Sequence, residues 1–133
     1  MSVFNVKTSK QTQFVDITSR VQDVLAAEKC GHGLCLVFIP HTTAAVTINE
    51  NADPSVVSDI QAELAKIVPF ADGYSHLEGN SAAHIKASLF GSSVLVPVSR
   101  GTLGLGTWQG IYFCEFDGPR KRSVQVHIVG GKA

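Results

Sequence analysis

The chain has 133 residues, 11 Lys and Arg against 11 Asp and Glu, and a formal charge of zero. Hydrophobic residues make up 44% and charged residues only 17%, below the ~25% usual for soluble domains. This composition excludes disorder and a nucleic-acid partner held by surplus positive charge.

The length fits one domain over residues 1–133. The scarcity of charge suggests surface hidden in an oligomer. No apolar run approaches the ~18 residues of a bilayer span, and Met1–Lys7 lacks the basic-then-apolar order of a signal peptide. Three cysteines, an odd number without a CxxC pair, fit a reducing compartment. A cytoplasmic protein without a membrane partner is expected.

Residues 3–7 and 13–17 alternate apolar and polar and predict two strands joined by a turn. Thr18 or Ser19 can cap a helix carrying Val21, Val24, Leu25 and Ala26 on one face, with Gly31 and Gly33 as its stop. Leu34 to Ile39 is a continuous apolar run ending at Pro40, the pattern of a strand covered on both faces. Ala45 to Ile48 predicts the next strand. Asp53-Pro54 is a helix start, with the acid as N-cap and proline first in the helix. Val56, Val57, Ile60, Leu64 and Ile67 follow at helical spacing until Pro69.

Residues 69–80 read as a loop, and Ser81 to Phe90 as a short helix stopped by Gly91. Ser93–Val98 predicts a strand, and residues 100–106 a glycine-rich turn. Trp108–Phe116 and Ser123–Val129 predict two long final strands. Unlike elements mix without regular βαβ alternation, which points to an α+β fold with mainly antiparallel pairing and two or three helices.

Four clusters could carry chemistry. His41 emerges after a buried strand, and Asn49, Glu50, Asn51 and Asp53 crowd a helix start, where an anion or a metal-orienting carboxylate would be favoured. Asp53 can equally be an N-cap alone. His76, Glu78, Asn80, His84 and Lys86 form the second group; imidazole moves protons near neutral pH or binds divalent metals, although no HExxH or paired CxxC is present. Gly101–Gly106 contains a GxG without the strand and helix of a dinucleotide fingerprint, so no nucleotide cofactor is expected. In the last strand pair, alternation sends Tyr112, Cys114 and Phe116 to one face and Ile111, Phe113 and Glu115 to the other. Glu115 amid apolar neighbours is a candidate base or ligand, or a carboxylate paired with an arginine. Cys114 reads as an inert core thiol rather than a nucleophile. The Arg120-Lys121-Arg122 turn is a solvated tip or a phosphate grip.

The blocks His41-Thr-Thr-Ala with Thr47-Ile-Asn-Glu-Asn-Ala-Asp-Pro54, Glu78-Gly-Asn80 with His84-Ile-Lys86, and Gly106-Thr-Trp-Gln-Gly-Ile111 with Glu115 resemble the YjbQ-like family. Its members have been labelled secondary thiamine-phosphate synthases. The resemblance covers essentially the whole chain. It implies a β-sandwich with helices, assembled as a homotrimer, with a catalytic site built from His41, Asp53, His84 and Glu115. The implied reaction joins a pyrimidine-methyl pyrophosphate to a thiazole phosphate with loss of pyrophosphate. Such chemistry calls for a divalent metal, Mg2+ or Zn2+, with His41, His76 and His84 as its ligands. Asn49, Glu50, Asn80, Lys86, Trp108, Gln109 and Arg120 would then hold the phosphorylated substrate. The same residues would equally serve a non-catalytic trimer that binds a small phosphorylated metabolite or a divalent metal.

Overall fold

The computed structural model describes residues 1–132. In chain order these form β1 (Ser2–Lys7), β2 (Gln13–Asp16), α1 (Thr18–Glu28), β3 (Cys30–Phe38), β4 (Ala44–Glu50), α2 (Pro54–Ile67), α3 (Ser81–Phe90), β5 (Ser93–Ser99), β6 (Thr102–Leu103), β7 (Gln109–Glu115) and β8 (Lys121–Lys132). The strands make two antiparallel sheets, ordered β1-β8-β3-β5-β6 and β2-β7-β4. This is the α+β class that the element pattern predicts.

The period of two in β7 dictates the layering. Ile111 and Phe113 face the large sheet and share one core with Val37, Val96, Val124, Val126 and, from α1, Val21 and Leu25. Tyr112, Cys114 and Phe116 face the other way, against Leu64 at the end of α2, Val68 beyond it, and Ala82, Ala83 and Ala87 of α3. The layers are therefore large sheet, small sheet and helix pair. Fully burying a phenylalanine such as Phe113 or Phe116 stabilises the fold by roughly 1.5–3 kcal/mol.

Three expectations change. The N-cap of α1 is Ile17, without a side-chain cap bond, rather than Thr18 or Ser19; Thr18 Oγ1 donates to Asp16 and accepts from the Ile111 N–H instead. Gly31 and Gly33 do not stop α1; Lys29 does, in the left-handed region at φ 55°, its N–H bonded to the Ala26 carbonyl. The two glycines instead lie within β3. A Cβ on Gly33 would stand 2.0 Å from the Val129 carbonyl oxygen, and one on Gly130 would stand 2.1 Å from that of His32. The facing glycines let β3 and β8 approach closely.

The strand buried on both faces is β7 rather than β3. On β3, Cys35 and Val37 enter the core, whereas Leu34 is 45% exposed on the outer side. Leu95 and Val129 on the flanking strands are 58% and 71% exposed beside it. An apolar run alone does not tell which strand is sandwiched between layers. Among the described residues, no helix is long and apolar enough to cross a membrane.

Candidate functional site

Pro40 turns the chain after β3 and sets His41 at the mouth of a groove. One part of the groove, about 510 Å³, is lined by His41, Thr42, His84, Ser88 and Ser92. The adjoining part, about 540 Å³, is lined by His41, Thr42, Ser92, Arg120 and Arg122. His41 thus stands between a histidine and an arginine pair.

The Ser123 N–H donates to His41 Nε2 at 2.9 Å. Burial lowers the His41 pKa from its ordinary 6.5, and the Arg122 charge lowers it further. With Nε2 accepting, the neutral ring carries its proton on Nδ1. His41 is therefore set up as a hydrogen-bond donor, and ligating a metal through Nε2 would break the Ser123 bond.

Beneath the groove, Glu115 is wholly buried and every oxygen is engaged. Arg122 Nε donates to its two oxygens at 2.9 and 3.1 Å, Thr8 Oγ1 donates at 2.8 Å and the Asp117 N–H at 3.1 Å. Burial works to raise the Glu115 pKa, but the bonds from Arg122, Asp117 and Thr8 outweigh it and hold the carboxyl below its ordinary value. The geometry makes Glu115 the counter-ion that aims Arg122, whose Nη2 also donates to Thr43 Oγ1 at 2.8 Å. This is the arginine-paired alternative of the two that the sequence leaves open for Glu115. Thr8 is absent from the sequence-based site; Arg122 enters it only as part of the basic turn and Thr43 only as part of the His41 block, and Arg122, at 4% exposed, is no solvated tip. Glu115 and Arg122 belong to different sheets, so strand spacing carries no sign of their pairing.

Arg120 is half exposed. Its Nε donates to the Asp117 carbonyl at 3.0 Å and its Nη2 to the Asp117 carboxylate at 3.1 Å. Asn80 Nδ2 donates to the same carboxylate at 2.9 Å, which ties the start of α3 to the β7–β8 turn. His84 also faces a smaller recess with Tyr74, His76 and Ser81, where the His76 and His84 rings meet edge to face at 5.5 Å. Lys86 points inward from α3 and lines neither part of the groove.

The remaining predicted residues lie elsewhere. β4 and β7 pair with Ala44 opposite Glu115 and Glu50 opposite Gln109. At ~3.3 Å per residue, the Asn49–Asp53 segment and the Trp108 turn therefore stand about 20 Å along the sheet from Glu115. There, Asp53 caps α2 by accepting from the Ser55 N–H at 3.0 Å, and these Ser55 bonds lower its pKa. Asn49 Oδ1 accepts from the Glu50 N–H, Glu50 from the Ala52 N–H, and Gln109 from the Gly106 N–H. Trp108 is 63% exposed. One chain thus brings together His41, His84, Arg120 and the Glu115 pair, with His76 close to His84, and leaves Asn49, Glu50, Asp53, Trp108 and Gln109 apart.

Among the described residues, no three His, Cys, Asp or Glu side chains group as metal ligands. With His41 Nε2 engaged by the Ser123 N–H, His41 could offer a metal only its Nδ1. Cys114 is fully buried, and that burial pushes its thiol far up, which leaves no thiolate for nucleophilic chemistry.

Known proteins resemble the chain over nearly its full length. The sequence profile of the family described as "UPF0047 protein YjbQ-like" matches residues 2–131. UPF0047 protein MJ1081 of Methanocaldococcus jannaschii is 48% identical over 97% of this chain and 94% of its own. UPF0047 protein YugU of Bacillus subtilis is 45% identical over 98% and 99%. The crystal structure of an uncharacterised conserved protein of the YjbQ/UPF0047 family from Clostridium acetobutylicum, 53% identical, superposes with a TM-score of 0.95 over 97% of this chain and all of that one. An agreement this long and even, in sequence and in backbone alike, leaves one conclusion: the chain belongs to the UPF0047, YjbQ-like family.

Proposed function

We propose that the His41 groove binds a small phosphorylated metabolite, and that the protein is a transferase of the kind the sequence resemblance implies, forming thiamine phosphate. The observation that carries this is the placement of His41, with its ring proton on Nδ1, between His84 and the Arg120–Arg122 pair. In that reaction the thiazole nitrogen attacks the pyrimidine methylene, and the bond to pyrophosphate breaks with its electron pair leaving on oxygen. Arg120 and the His41 Nδ1–H are the groups here that meet negative charge on the departing pyrophosphate. His84 supplies a further donor from the opposite wall.

In the same proposal the protein is a homotrimer, which the uncovered apolar side of the large sheet supports. Residues at the Trp108 end of the small sheet would join this groove only from another copy.

The test is thiamine-phosphate formation from the two phosphorylated precursors, with wild type and His84→Ala side by side. The expected outcome is product with wild type and at least a hundredfold less with a folded His84→Ala protein, in line with loss of one charge-stabilising donor. Undiminished turnover by that variant would remove His84 from the site. Tight binding of the precursors without turnover would instead make the protein a binder of phosphorylated metabolites.

A further inference from the structure

Ser81, His84, Ile85 and Ser88 fall three or four residues apart, so α3 presents them as a stripe along one face. The stripe runs past two spaces. His84 and Ser88 line the groove beside His41, while Ser81, His84 and Ile85 line the smaller recess. Tyr74, Ser75 and His76, from the segment between α2 and α3, complete the lining of that recess. It holds about 390 Å³, within the roughly 300–1,000 Å³ of small-molecule sites.

The recess differs chemically from the groove. Tyr74, His76 and His84 carry flat rings, and Ile85 is apolar. The His76 and His84 rings stand at 84° to each other, edge to face, an arrangement that aromatic groups prefer. Tyr74 is fixed in advance: its hydroxyl donates to the Pro69 carbonyl at 2.6 Å, and its ring packs against the core shared by α3 and β7. Among the described residues, no Lys or Arg lines the recess, and the Glu78 carboxylate stands 4.0 Å from His76 Nε2. Phosphate is disfavoured there, whereas Arg120 and Arg122 line the far part of the groove. Ser75 and Ser81 add hydroxyls that donate or accept, as the nitrogens of a heterocycle require.

Because His84 lines both spaces, a ligand with a ring and a phosphate a short link apart spans them. Trp108 of the same chain lies too far along the small sheet to hold such a ring. We propose that the recess is a ring pocket, taking a flat, uncharged heteroaromatic ring, here the pyrimidine, while the attached pyrophosphate lies in the His41 groove. This rests on the groove being a site for phosphorylated metabolites, and it names the part of the ligand that selects among them.

Isothermal titration calorimetry tests it with three probes. They are the pyrimidine-methyl pyrophosphate without its thiazole partner, inorganic pyrophosphate, and isopentenyl pyrophosphate, whose apolar part is a chain rather than a ring. Wild type should bind the first roughly tenfold or more tightly than either of the others. His76→Ala and Ile85→Ala should each cut that ratio about fivefold, through weaker binding of the pyrimidine probe rather than a change in inorganic pyrophosphate. Ile85 is 38% exposed and alanine is a good helix former, so the second variant keeps the fold. Binding of none of the three probes overturns the groove reading and this one with it. Equal affinity for all three, or a ratio unchanged in both variants, overturns the ring pocket and leaves the groove standing. So does a ratio that is lost in Trp108→Ala and kept in the other two variants, since the ring would then rest on the indole of another copy.

Discussion

Removing Arg122 would leave Glu115 as a buried carboxylate without its cation, and that is the most severe single change available at the site. Breaking a buried ion pair from one side costs about 3–5 kcal/mol, since the surviving charge stays desolvated. Arg122→Met should lower stability by that order, measured by urea unfolding at neutral pH, while Thr8→Val, which removes a donor to the buried carboxylate and the acceptor of the Arg120 N–H, should cost about 1.5–3 kcal/mol. The same residues set the acid limb of stability. Both His41 and Glu115 have pKa values below their ordinary 6.5 and 4.5, so in each case the unfolded chain takes up protons first. Their contributions are present above those values and are lost as pH falls through the folded ones. Stability should therefore decline in two stages, first below about 6.5 and again below about 4.5. His41→Gln, which keeps an acceptor for the Ser123 N–H, should abolish the first stage and leave the second; a first stage that survives in this variant would place it on another group.

At the scale of elements, β3 and β8 depend on Gly33 and Gly130 facing each other. An alanine at either place drives its Cβ into backbone carbonyl, which side-chain movement cannot relieve. Gly33→Ala and Gly130→Ala should each destabilise by several kcal/mol, whereas Gly73→Ala, whose Cβ would meet nothing, should cost only the strain of its positive φ. Thermal melts of the three variants give the comparison. These glycines also mark how far the sequence could be read. The start of α2 and the end of α3 were legible because both are local: Asp53 caps α2 through the neighbouring Ser55, and Gly91 closes α3 at φ 95°. The two faces of β7 were legible because alternation is local too. Gly31 and Gly33 look like helix stops for the same reason, since nothing nearby reveals that Gly33 meets Gly130 almost a hundred residues away. That Glu115 pairs with an arginine was one of the two readings its apolar neighbours allowed, but that the arginine is Arg122, on the other sheet, alternation does not show. His41 and His84 stand out by residue type, but that they share one groove is a property of tertiary packing.

For the molecule as a whole, the balance of charge conceals where the charge is absent. The outward positions of β3 are His32, Leu34, Leu36 and Phe38, those of β5 are Ser93, Leu95, Pro97 and Ser99, and those of β8 from Ser123 are Ser123, Gln125, His127 and Val129. None carries an Asp, Glu, Lys or Arg. Register aligns Val129, Leu34 and Pro97 in one row and His127, Leu36 and Leu95 in the next, so the apolar side chains form a continuous patch across three strands. A monomer rarely leaves such a patch to water, and a contact between copies is the arrangement that removes it. If the proposed homotrimer is built on this face, Leu95→Lys puts an ammonium where Leu95 now stands 58% exposed, at little cost to the isolated chain. The expected outcome in sedimentation velocity is a shift from trimer to folded monomer with an unchanged circular dichroism spectrum. A Leu95→Lys protein that remains trimeric would move the contact off the large sheet. The surface next in line would then be the Trp108 end of the small sheet, where the indole is 63% exposed.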